Sequence, residues 1–432
     1  TAVGFNSGTA VTTGIKNTLI GGLTGDAITT GVNNVAVGYL ALSATTTAVE
    51  NTAIGSGALL ANTTGTANVA VGQGSLDANT TASNNTAIGH DALTANTTGT
   101  SNVAVGALAL DANTTADNNT AVGNGALTGN TTGAQNTSLG TNALASNTTA
   151  SYNTGVGYQA VYGNLTGTEL VGVGHNTLFA NTTGSYNVAV GGFALDANTT
   201  ASSNTAVGYA SLSANTTGTE NVAVGQGALE LNTTASGNTA VGQDALTANT
   251  TGDFNVAVGR DALSSNVLGD RAVAVGYNAL SAQAPTSNVD TYNVAIGLNS
   301  QFSTTTGVKN VAVGGLSLDT NTTGSNNVAV GQSALGGNTT ASDNTAVGYS
   351  ALLANTTGTQ NVAMGSLALD ANTTGHNNTS LGYGSLSSNT TASNNTAVGF
   401  FALVANTTGA SNVAVGALAL DANTTADNNT GV

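Results

Sequence analysis

A seventeen-residue unit repeats along the whole chain and limits what it can fold into more than any other feature. Residues Asn51 to Ala67 read N-T-A-I-G-S-G-A-L-L-A-N-T-T-G-T-A, and the next copy opens at Asn68 with N-V-A-V-G-Q-G-S-L-D-A-N-T-T. The opening Asn returns at the same step from Asn85 to Asn153 and from Asn187 to Asn255, then, after an insertion of four residues, from Asn293 to Asn429. A fixed short period marks a solenoid, in which each unit stacks on the next to bury its apolar residues. Copies opening Asn-Thr-Ala are mostly followed by copies opening Asn-Val-Ala, and residues 101–120 return unchanged as 411–430, the mark of duplicated long segments. The expectation is one continuous array over residues 1–432, interrupted by an irregular segment at 253–292. Both ends fall inside a repeat, which reads as a piece of a longer array.

Composition narrows the function. Soluble domains carry about a quarter of their residues as charges, whereas this chain carries 6 % and a net charge of −16. With only Lys16, Arg260, Arg271 and Lys309 as bases, no phosphate-binding stripe can form, so nucleic acid is not an expected partner. There is no Cys, hence no disulfide or thiolate metal site. No apolar run approaches the roughly twenty residues of a membrane span, so no membrane insertion is expected in this segment. Strict placement of Val, Ile and Leu argues against disorder despite the abundance of Gly, Ser, Thr and Asn.

Counting from the Asn, positions two to five, such as Val103-Ala104-Val105-Gly106, form a short strand with period-two alternation. One face then carries bulk and the other, Ala and Gly, permits close approach, as a strand packed on both sides requires. Leu at position nine, as in Leu110, is expected to fill the coil interior, and one Val or Ile of the strand is expected to be buried in each coil. Asn-Thr-Thr-Gly or Asn-Thr-Thr-Ala closes the unit as a turn, and in-register Asn and Thr would stack into ladders. No helical stripe survives the Gly and Thr, so the fold class is all-β, a parallel β-solenoid of 17-residue coils. With strands about 4.8 Å apart, roughly 25 coils make a rod of about 120 Å. One Val or Ile and one Leu per coil contribute roughly 3–6 kcal/mol, against backbone ordering costs on the order of 17–34 kcal/mol. Backbone ladders to both neighbouring coils must supply much of the difference, and apolar burial against another subunit would add to it, so the arithmetic points towards assembly.

The pentads Asn-Val-Ala-Val-Gly at Asn68, Asn-Thr-Ala-Ile-Gly at Asn51 and Asn-Val-Ala-Ile-Gly at Asn293, each followed by two variable residues and Ala or Ser, resemble the YadA-like head repeats of trimeric autotransporter adhesins. Similar repeats occur in fibre proteins of bacteriophages and in long bacterial surface proteins. The resemblance covers essentially the whole chain and implies a left-handed β-roll, a homotrimer and a surface adhesin. The unit is longer than the family's usual one, the surplus falling in the Asn-Thr-Thr turn, and the family's neck, stalk and anchor are not seen.

Position six carries Tyr39, Tyr158, Tyr209, Tyr277, Tyr349, Tyr383 and Phe400, with His90, His175 and several Gln among them. Such variability predicts an outward position, with the aromatics available for subunit or ligand contact. Asp77, Asp111, Asp196, Asp319, Asp370 and Asp421 fall at position ten and read as solvated solubility charges, since alternate coils stand about 9.6 Å apart, too far to share a cation. Asn62, Asn79, Asn96 and Asn113 open formal N-glycosylation sequons but are explained as turn and ladder residues. Regular Thr ranks also occur in ice-binding solenoids, yet the adjacent Thr of Asn-Thr-Thr would point to opposite sides of an extended strand. The segment from Asp253 to Tyr292, with Pro285 as the single proline, reads as a tolerated surface insertion. His90, His175 and His376 lie far apart and no nucleophile stands out from its copies, so no catalytic, metal or cofactor site is expected. The resulting expectation is a non-enzymatic extracellular or cell-surface fibre or adhesin shaft that associates with itself and contacts a cell or host surface. A phage tail fibre and an ice-binding solenoid are the alternatives.

Overall fold

The repeat period fixes the register of the strands. Strand Val103–Val105 pairs in parallel with Thr120–Val122, so that Val103 stands on Thr120, Ala104 on Ala121 and Val105 on Val122. The structure, a computed structural model, describes residues 1–432 as short strands, turns and bends with no helix. It comprises two compact units, Thr1–Thr217 and Gly218–Val432. The first is a parallel β-solenoid whose successive coils pair in this way from Ala2–Val3 to Thr205–Val207. The second has the same construction from Val222–Val224 to Thr430–Gly431.

Inside a typical coil sit the Ala of position three, the Leu of position nine and the two Asn of positions one and twelve, as in Ala87, Leu93, Asn85 and Asn96, all at 0 % exposure. The Leu fills the interior as expected. The Val or Ile of the strand does not: position four points outward, and Ile88 is 41 % exposed. The small strand face is thus inside and the bulky one outside, so the Val or Ile counted as buried is not covered by its own coil. The reason is space. Two Asn, one Leu and the closely approaching glycine backbone leave room at position three for Ala, or Ser where its hydroxyl finds a carbonyl, and for nothing larger unless the Leu gives way.

The buried ladder amides are almost all used, the Oδ1 of Asn249 being an exception. Asn96 donates from Nδ2 to Asn79 Oδ1 at 3.2 Å and to the Gly99 carbonyl at 2.9 Å. Asn85 Nδ2 reaches that same carbonyl at 2.8 Å, while Asn85 Oδ1 accepts the backbone N–H of Asn102 in the next coil at 2.9 Å. Both Asn ranks thus clip the position-fifteen carbonyl and run as ladders through the coils. A buried polar group costs free energy unless it is paired, and repetition pairs each with its own copy. The position-thirteen Thr adds a third line of bonds, Thr63 Oγ1 donating to the Thr80 carbonyl at 3.0 Å.

Corners are made by left-handed residues. Leu108, Leu110 and Asn118, at positions seven, nine and seventeen, have φ of 58°, 53° and 61°. For L-residues this conformation costs roughly 1–2 kcal/mol each, which the ladders must offset. At position five Gly is required: Gly106 has φ of 134°, and a Cβ there would collide with the carbonyl of Gly123 in the next coil.

Candidate functional site

The most distinctive surface is the outward face of the strands. Position two is Thr or Val, and position four is Val, Ile, Leu or Met, in every copy. Position four is nonetheless open to solvent, with Ile54 40 %, Leu139 48 % and Met364 46 % exposed. Positions six and seventeen, mostly exposed, and half-buried position ten vary freely between polar, charged and aromatic residues. Because the strands are in register, position four forms one apolar file along each unit, flanked by the half-buried Thr and Val of position two. Contiguous exposed apolar surface of this kind on a soluble protein is a candidate interaction surface. The sequence marks this bulk as one face of the strand to be buried without showing which face turns inward. The signal that could have located it is the combination of constant apolar character with a neighbouring position held to Ala.

The aromatics of position six are exposed as expected, at 45 % for Tyr277 and Tyr383 and up to 58 % for Tyr209, with Tyr39, Tyr158, Tyr349 and Phe400 between. The structure gathers some of them. In the first unit Tyr158 stacks on His175 at 5.5 Å, His175 meets Phe193 edge-on at 5.1 Å, and Phe193 meets Tyr209 at 5.9 Å. A second pair, Tyr162 on Phe179, stacks at 5.2 Å. In the second unit Tyr383, Phe400 and Phe401 form a three-ring cluster, and Arg260 lies over Tyr277. Tyr39 and Tyr349 have no ring partner. Rings packed this way satisfy one another across coils and leave mainly edges for a ligand.

The position-ten carboxylates are half-buried rather than freely solvated, except for exposed Asp421. Asp77 and Asp111 each accept a hydroxyl from the Thr above, Thr94 at 2.9 Å and Thr128 at 2.5 Å. Burial pushes the carboxyls of Asp196, Asp319 and Asp370 above the ordinary range, against the downward pull of their own N–H and the following one. Asp26, overlooked in the sequence, occupies the same position, and its Oδ1, like those of Asp196 and Asp370, is buried without a partner. No three acidic or His side chains converge to hold a metal ion. His90 pairs with its neighbour Asp91, and His376 accepts the Thr359 N–H at 2.9 Å through Nδ1, a turn ladder contact.

Asn62, Asn79, Asn96 and Asn113 are wholly buried with their amides bonded, so the folded coil seals these sequons. Sequons with an exposed Asn lie elsewhere, at position seventeen, where Asn84, Asn118 and Asn394 each precede Asn-Thr. They were legible as Asn-Asn-Thr but hidden among the commoner Asn-Thr-Thr. The position-thirteen Thr hydroxyls are spent on neighbouring carbonyls, leaving position fourteen as the exposed Thr rank of the turn.

No family model matches the chain, and no curated protein matches it. Geometry alone defines the class: a helix-free parallel β-solenoid of 17-residue coils, with ladders of buried Asn inside and an apolar file outside.

Proposed function

We propose that this chain is a structural element of an extracellular fibre, a YadA-like head or shaft in which three copies pack through the position-two and position-four faces of a left-handed roll. The observation that carries the reading is the apolar file itself, exposed in each unit and free of polar residues in every copy. Covering it with copies of itself removes that surface from water and supplies the apolar burial a thin coil lacks. Identical chains in register place Val on Val and Ile on Ile along the whole contact. The role is mechanical and non-enzymatic. Backbone and Asn ladders make a stiff, protease-resistant body on the cell surface or virion, and the variable outward positions serve contact with surfaces.

Sedimentation and native mass measurement of the intact chain test this directly. The expected species is a trimer, and replacing Ile54, Ile88 and Val122 by Lys should release folded monomers with an unchanged far-ultraviolet spectrum. A stable, soluble wild-type monomer would overturn the assembly.

A further inference from the structure

The coil Ala272–Tyr292 is four residues longer than its neighbours, and the surplus is stitched down rather than left loose. Val289–Asp290 pairs in parallel with Gly269–Asp270 as a small second sheet. Gln283 takes the slot of the ladder Asn, donating to Asn266 Oδ1 at 3.3 Å and accepting from Asn293 Nδ2 at 2.9 Å. Thr291 Oγ1 donates to the Asp270 carbonyl at 2.9 Å. Arg271 pairs with Asp290, whose other oxygen accepts the Tyr292 hydroxyl at 3.0 Å. Across from the insertion, the turn carrying Lys309 is tied to it by the Lys309 N–H donating to the Thr291 carbonyl at 2.7 Å.

Between these two walls lies a cleft of about 380 Å³, within the range of small-ligand sites. Pro285, Val289 and Val308 give it an apolar side. Thr286, Ser287 and Lys309 line it too, the two hydroxyls without partners in the chain. The chain has four basic residues. Of the three in this unit, Arg260 pairs with Asp261 and Arg271 with Asp290, so Lys309 is the one left without an ion pair. A single uncommitted ammonium matches a monoanion; a phosphate dianion would want a second cation or a ring of backbone N–H groups.

We propose that this cleft binds a carboxylated sugar. The carboxylate meets Lys309, ring hydroxyls bond to Thr286, Ser287 and the Asp290 carboxylate, and the C–H face lies on the apolar wall. The inference deepens the surface-contact part of the proposed function and does not depend on the trimer. An acidic peptide would meet the ammonium as well, and the test separates it from the sugar.

The test is binding of the intact chain to a glucuronate-terminated oligosaccharide, its neutral glucose counterpart and an acidic peptide, with the assembly state of each sample measured in parallel. Expected is binding of the glucuronate form at least about tenfold tighter than of the other two, the worth of one charge-assisted bond. Lys309→Gln should abolish that preference, and Lys309→Arg and Lys16→Gln should keep it. No glucuronate binding, equal binding by Lys309→Gln, or preference for the peptide overturns the site. Because assembly is read separately, a monomer that still binds the sugar refutes the trimer and leaves the cleft standing.

Discussion

Ala104 and Val105 are neighbours on one strand and obey opposite rules. Ala104 faces a closed interior in which volume is fixed and polarity is negotiable. Ser138 and Ser380 replace Ala at the same position because each hydroxyl finds a carbonyl, Ser138 donating to Ala143 at 2.8 Å. Where position nine shrinks to Gly25, position three grows to Leu19, whose methyls occupy the space a Cβ on Gly25 would need. Val105 faces outward, where size varies from Val to Met but no copy is polar. Tight packing explains the first rule. The second needs something outside the coil to cover the file, which is the physical content of the assembly proposed above.

The largest expected break in this contrast comes from one amino acid placed on either side of the wall. Asn96→Asp puts an unpaired carboxylate against the Gly99 carbonyl and Asn79 Oδ1, and should cost about 3–5 kcal/mol at neutral pH. Asn84→Asp, at an exposed corner, should change stability by less than about 0.5 kcal/mol. Denaturant melts of the two variants make the comparison, and equal effects would mean that the ladder contributes little.

A smaller separation is expected for size. Ala104→Val overpacks the coil and should cost about 1–3 kcal/mol, whereas Val105→Ile on the outer face should stay within about 0.5 kcal/mol. Thermal melts resolve this difference, and a tolerant Ala104 would show the interior to be roomier than the ladder geometry implies.

The smallest effect is that of pH on Asp196, Asp319 and Asp370, which sit between the two faces. Burial raises their pKa in the folded chain. Between the unfolded and the raised folded value the native state holds more protons, so these groups destabilise the fold at neutral pH and release that penalty as pH falls through the window. Replacing all three by Asn should flatten the acid limb of a stability–pH profile. A flat wild-type profile, or one steepened by the replacement, would contradict the burial assigned to them.

Much of this was legible in the residues. The period, the one-residue-on-its-copy register, the Leu of position nine, the Asn ladders and the outward aromatics all follow from repetition, because identical units stacked in parallel must place each side chain on its own copy. The candidate sites were less legible. The cleft beside Lys309 needs residues from two coils, Pro285 and Val308 among them, and the sealed state of Asn96 depends on which way its amide turns.

What the sequence determined, then, is the solenoid and its ladders, since a strict short period with turn residues at fixed offsets admits no other economical way of satisfying the backbone. What only the tertiary structure decided is which face of each strand turns inward. Alternation divides the strand into a bulky and a small face without assigning either. The choice falls to the volume left after Leu110 and the Asn side chains are packed, and to corners at Leu108, Leu110 and Asn118 in a left-handed conformation that local preference would not have suggested. The interior holds the methyl of Ala104, and Val105 stays in the file on the outer face.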